Sequence, residues 1–169
     1  MLPWFEVCFT VSRMKDLPKL IASIALCELA GILGTPFTIA AIPTWYATLN
    51  KPVFSPPNWV FGPAWTLLYL LMGISFYLIW KQGWQKNKVK RASYYFLAQL
   101  TLNFLWSLSF FGLRSPILGL VNILILWGMI ALTMNKFYPL SKVAFYLLVP
   151  YLLWVSFATM LNASIVILN

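Results

Sequence analysis

An apolar run from Val60 to Trp80 carries no charged side chain until Lys81. A helix of about 20 apolar residues spans the ~30 Å hydrocarbon core of a bilayer. The 169-residue chain is 62% hydrophobic and only 9% charged, against roughly 25% charged residues in soluble domains. A soluble fold of this length could not hide so much apolar surface, so the surrounding solvent must be lipid. An all-α membrane protein follows, because a helix satisfies its own backbone groups where no water can.

Read in order, the chain offers five transmembrane helices in a compact bundle: Leu20 to Ile42, Pro56 or Val60 to Trp80, Ala92 to Gly112, Ile117 to Met134 and Val143 to Leu168, the last interrupted by Pro150. Residues 1–19 form an N-terminal segment outside this core, which occupies residues 20–169. The apolar stretch before Arg13 is too short to span, and its charges follow it, the reverse of a signal peptide. In the first span, insertion gains about 3–6 kcal/mol from Leu, Ile, Val and Phe, while the central Glu28 costs about 3 kcal/mol. Glu28 is therefore expected to face the bundle interior, find a partner or be protonated. Gly31, Gly34 and Thr35 make a small-residue surface for close helix approach. The third span is the most polar, and Gln99, Asn103, Trp106 and Phe110 fall at spacings of four, three and four, one helical face. In the fourth, Asn122 is the strongly polar residue. In the fifth, Tyr151, Trp154, Ala158 and Asn162 lie close to one stripe.

The net charge of +9 does not point to nucleic acid, because the basic residues lie between the apolar runs and not along a phosphate-binding face. Arg13, Lys15 and Lys19, then Lys81, Lys86, Lys88, Lys90 and Arg91, then Lys136 and Lys142, fall on one side of a five-span topology. Only Lys51 and Arg114 fall on the other. The N-terminus is then cytoplasmic and the first long loop faces out. Cys8 and Cys27 give neither a disulfide framework nor metal spacing. The chain has no histidine, which removes Ser-His-Asp and Cys-His nucleophiles, His-based zinc sites and a His axial ligand to haem.

The loop from Trp45 to Trp65, WYATLNKPVFSPPNWVFGPAW, is the other organising feature. Lys51-Pro52 and Ser55-Pro56-Pro57 cannot sit inside a helix. Its Trp and Tyr rings suit a membrane surface. Ser55 before Pro56 reads as an N-cap with a first-turn proline, so the second helix is expected to start there, and Pro63 to bend its first turns.

WYATLNKP with PPNWVFGPAW, LNFLWSLSFFG in the third span and PYLLWVSFATMLN in the fifth resemble the TspO/MBR family, the translocator protein or peripheral benzodiazepine receptor family, over Gly31 to Asn162. The resemblance implies five tightly packed helices, commonly a homodimer, with a pocket under the first loop. Family ligands are porphyrins such as protoporphyrin IX and haem, with sterols and benzodiazepine-like drugs in some members. By position, Trp65, Asn103, Trp106, Trp154 and Ala158 would line that pocket, with Phe110 on the same helical face and Asn162 closing it. Trp45, Tyr46, Lys51, Pro52, Pro56, Pro57 and Trp59 would form the lid. Some bacterial relatives break down protoporphyrin in light, and Trp65 and Trp154 match the tryptophans involved. Phe54 departs from a common Trp, Asn122 from a common Asp, and the stretch ASIVILN after Asn162 lacks the Tyr and Arg of the cholesterol-recognition pattern, itself a weak motif.

Three functions are compatible with this reading: a porphyrin-binding receptor or transport protein, a light- and oxygen-dependent porphyrin-degrading enzyme, and a membrane scaffold. With three acidic residues in all, ordinary acid–base hydrolysis has little to work with. Without histidine, a metal-free porphyrin is the preferred ligand, bound by indole stacking with Lys51 near a propionate. No cofactor is required and no metal site is expected. A bacterial or archaeal plasma membrane suits the charge bias, whereas eukaryotic relatives occupy the mitochondrial outer membrane.

Overall fold

A computed structural model describes the backbone from Trp4 and the side chains from Asp16 to Asn169. Among the described residues, seven α-helices follow in order: α1 (Trp4–Ala41), α2 (Trp45–Thr48), α3 (Phe61–Trp80), α4 (Asn87–Ser107), α5 (Pro116–Phe137), α6 (Lys142–Leu147) and α7 (Val149–Leu168). No strand occurs among the described residues. α1 packs against α3 and α4, α4 against α5, α5 against α7, and α6 closes the ring on α3.

Among the described residues, four segments are long and apolar enough to cross a membrane: Asp16–Ala41, Asn58–Trp80, Pro116–Phe137 and Lys142–Leu168. The expected count of five is thus not reached on length and hydropathy. The segment that falls short is α4. It begins at Asn87, so its first turns take in Lys88, Lys90 and Arg91, and its later turns carry Gln99, Thr101 and Asn103. Its packing against α1, α3 and α5 nevertheless makes it a full member of the bundle. Polarity on α4 is turned inward: Gln99 and Asn103 are buried.

Other boundaries also differ from expectation. α1 continues through Lys19 without a break and contains Pro18 and Pro36; residues 1–3 of the N-terminal segment lie outside the described residues. The second helix does not start at Ser55. Pro57 forces Pro56 away from helical geometry and is itself extended, at φ −57° and ψ 143°. A 3₁₀ turn over Asn58–Val60 then leads into α3. Pro63 falls in the first turn of α3, where a missing N–H forfeits little. The break expected at Pro150 is present, with Leu148 between α6 and α7 and Pro150 in the first turn of α7.

Glycine sets how closely α1 meets α3. A Cβ on Gly73 would lie 2.6 Å from the Ile24 Cα, so the two backbones touch where only a hydrogen fits. At the end of the bundle that carries the basic loop, the interior is filled. Phe96 stacks on Phe76 with centroids 4.6 Å apart and on Phe137 at 5.8 Å. Ser75 Oγ donates to the Ala144 carbonyl at 2.7 Å, and Gln82 Nε2 to the Leu140 carbonyl at 3.0 Å. The opposite end is built differently.

Candidate functional site: a cavity under the aromatic loop

Beneath the loop, α1, α3, α4 and α7 enclose a cavity of about 360 Å³, within the roughly 300–1,000 Å³ range of ligand pockets. Its shape begins with α4. After Ser107 the helix widens into a π turn over Leu108–Gly112, closed by the Leu113 amide donating to the Leu108 carbonyl at 2.8 Å. Such a turn inserts an extra residue and re-aims the side chains around it. Phe110 stacks on Trp106 at 5.5 Å, and Phe111 meets Phe110 edge-on at 4.8 Å. The lid helix α2 seats on these rings, with Trp45 5.5 Å from Phe110 and Tyr46 5.7 Å from Phe111.

The lid is also tied to the end of α7. The Asn50 amide donates to Asn169 Oδ1 at 3.0 Å, and Asn169 Nδ2 to the Asn50 carbonyl at 3.1 Å. Phe54, at the position where a Trp is common, rests edge-on against Phe157 of α7, 6.3 Å away. Lys51 lies over the Tyr46 ring with Nζ 4.5 Å from its centroid. Burial raises the Tyr46 phenol above its ordinary pKa, and a hydrogen bond from Ser55 opposes the shift.

Six of the seven expected pocket residues line the cavity: Trp65, Trp106, Phe110, Trp154, Ala158 and Asn162. Asn103 does not. It lies behind the wall, accepting from Tyr69 Oη at 2.5 Å and donating through Nδ2 to Tyr151 Oη at 2.9 Å, while Tyr151 donates onward to Gln99 Oε1 at 2.9 Å. This relay joins α3, α4 and α7. Because Tyr69 stacks on Trp65 with centroids 5.5 Å apart, Asn103 positions the wall from behind. Of the expected lid residues, Tyr46 reaches the cavity. Trp45, Lys51, Pro52, Pro56, Pro57 and Trp59 shape the loop without lining it, and Trp59 is exposed. Asn122, on α5, has a buried side-chain oxygen with no hydrogen-bond partner.

The structure adds residues that the sequence reading missed. Tyr69 and Phe61 line the wall from α3, and Glu28, Thr35 and Thr38 from α1. Tyr69 was accessible in principle, standing four residues after Trp65 and hence on the same helical face. The contribution of α1 had no aromatic signature and depended on how that helix rotates against α3.

The fold and site together define an α-helical membrane protein with an aromatic-walled cavity under an ordered loop. The sequence profile of the TspO/MBR family matches residues 23–168, and the chain belongs to that family. It is 49% identical over 152 residues to "Tryptophan-rich protein TspO" of Archaeoglobus fulgidus, covering 89% of this chain and 97% of that one. The protein of the same name from Chlorobaculum tepidum is 46% identical over 92% of this chain and 98% of its own. The "Translocator protein" of Bos taurus is 42% identical over 81% and 82%.

Proposed function

We propose that this protein is a membrane receptor or transport-type protein that binds porphyrins in the cavity under its loop. The observation that carries this reading is the wall itself. Trp65, Trp106 and Trp154 with Phe61 and Phe110 surround one hollow of about 360 Å³, and aromatic faces stack on flat conjugated rings. Volume favours partial enclosure of a macrocycle. The ring would enter with one edge between α1 and α3, where the lining residues Thr35, Ile39, Gly62 and Thr66 are exposed. Lys51, at the loop and outside the cavity, is placed to meet a propionate only if it leaves the Tyr46 ring. Sterols and benzodiazepine-like compounds are secondary ligands in this reading, and the name of the bovine relative favours movement of a ligand over its storage.

The topology that accompanies it has five spans, with α4 crossing inside the ring of its neighbours, a cytoplasmic N-terminus and a bacterial or archaeal plasma membrane. A homodimer is the proposed assembly. Titration of the detergent-solubilised chain with protoporphyrin IX in the dark should give saturable tryptophan quenching. Absence of saturation would remove the reading. Illumination with oxygen separates binding from degradation: new absorbing products that disappear in Trp65→Phe or Trp154→Phe would establish the porphyrin-degrading enzyme. No quenching and no products, in a chain that retains its helicity, would leave the scaffold.

A further inference from the structure

The cavity contains one carboxyl group and no basic residue. Glu28 stands near the middle of the Asp16–Ala41 span, at the depth where an ionisable group is most costly and almost always faces a bundle interior or a polar cavity. It faces the cavity along one stripe of α1 with Gly31, Thr35 and Thr38. A Cβ on Gly31, one turn further on, would overlap the Tyr69 ring, so Glu28 stands on the helix face that α1 presents to the aromatic wall. Among the described residues it has no salt-bridge partner, the recorded ion pair being Lys19 with Asp16 at 3.8 Å.

The neighbouring hydroxyls do not answer it either. Thr35 and Thr38 donate back to the Gly31 and Gly34 carbonyls, Thr66 to the Gly62 carbonyl, and Tyr69 to Asn103. The cavity that Glu28 lines also presents aromatic rings, Trp65, Tyr69 and Trp106 among them, whose quadrupoles attract a cation. Carboxylate and ring faces therefore ask for the same kind of guest, and they disfavour an anionic group at this depth.

We propose that Glu28 forms a subsite for a cationic amine, so that the cavity accepts flat aromatic amines with the charged nitrogen on the α1 side and the ring system against Trp65 and Tyr69. The proposal rests on reading this cavity as a ligand site. It also orients an anionic guest: a porphyrin bound here keeps its propionates away from Glu28 and towards the mouth.

Two probes of matched shape test it, 9-aminoacridine, which is cationic at neutral pH, and acridine, which is largely neutral. Both are titrated against the full chain in nanodiscs of uncharged phosphatidylcholine, with protein-free discs as blank. The wild type should bind 9-aminoacridine on the order of tenfold more tightly than acridine. Glu28→Gln should abolish that preference, Glu28→Asp should keep part of it, and Ala158→Leu should weaken both probes by filling the cavity. Equal affinities in the wild type, or a preference that survives Glu28→Gln, would overturn the proposal. Because the wild-type comparison needs no variant, a Glu28→Gln chain that failed to fold would leave the test intact. Protoporphyrin IX titrated in parallel keeps the two readings apart. Its failure with the amine preference intact removes only the porphyrin assignment, and the converse removes only the Glu28 subsite.

Discussion

Single residues divide between those that touch the cavity and those that hold its wall in place. Asn103 belongs to the second group, since both ends of its amide are occupied by Tyr69 and Tyr151. Asn103→Leu should lower stability by about 1–3 kcal/mol, because buried hydroxyl groups lose their partner. Thermal unfolding in detergent measures this loss, and ligand affinity should fall secondarily as Tyr69 and Trp65 shift. Tyr46 gives a pH prediction. Its pKa is raised in the folded lid, chiefly by burial, so the folded state holds the phenolic proton more tightly than the unfolded state does. That contribution is complete below the ordinary tyrosine value of about 10 and is lost as pH rises through the higher folded value. Tyrosinate absorbance of the wild type and of Tyr46→Phe should differ by one phenol that ionises above the ordinary value, the buried Tyr69 and Tyr151 being common to both.

Elements meet at two critical contacts, and each carries a prediction. The first is the crossing of α1 on α3. A side chain at Gly73 would collide with the Ile24 backbone, which cannot yield as a flexible side chain can. Gly73→Ala should therefore cost about 1–3 kcal/mol through overpacking, read as a lowered melting temperature. Gly128, whose added Cβ would meet nothing within 4 Å, should tolerate the same change. The second contact is the seat of the lid on the π turn. Asn169→Ala removes the side chain that joins α7 to Asn50, and each exposed hydrogen bond contributes only about 0.5–1.5 kcal/mol. The expected result is faster ligand exchange with little change in melting temperature, checked by stopped-flow release.

At the scale of the whole molecule the two ends of the bundle have different tasks. Stacked phenylalanines and buried hydrogen bonds lock the end near the basic loop, while the end under the lid keeps a hollow between α1, α3, α4 and α7. Five crossings require that Lys88, at the start of α4, and Arg114, in the link between the π turn and α5, lie on opposite sides of the bilayer. Lys88→Cys and Arg114→Cys should react with a membrane-impermeant maleimide from opposite faces of sealed vesicles, after Cys8 and Cys27 have been replaced by Ala. Labelling of both from one face would mean that α4 does not cross.

The lipid setting, the helical class, the aromatic loop and the two polar faces of α4 and α7 were legible in the amino-acid order, because each is a matter of local periodicity or composition. A run such as Val60 to Trp80 has no soluble alternative, and residues spaced by three or four share a helical face wherever the helix goes. The position of Asn103 behind the wall was not legible, since its face is correct but its depth depends on which tyrosines reach it from α3 and α7. Likewise, the cost of Glu28 in lipid called for an inward face, a partner or a proton, but did not put it beside the cavity. That placement follows from the rotation of α1, which the glycine contacts with Tyr69 and Ile24 fix only once the helices are packed. Sequence order sets which faces are apolar or polar, and only tertiary packing decides where those faces leave a space.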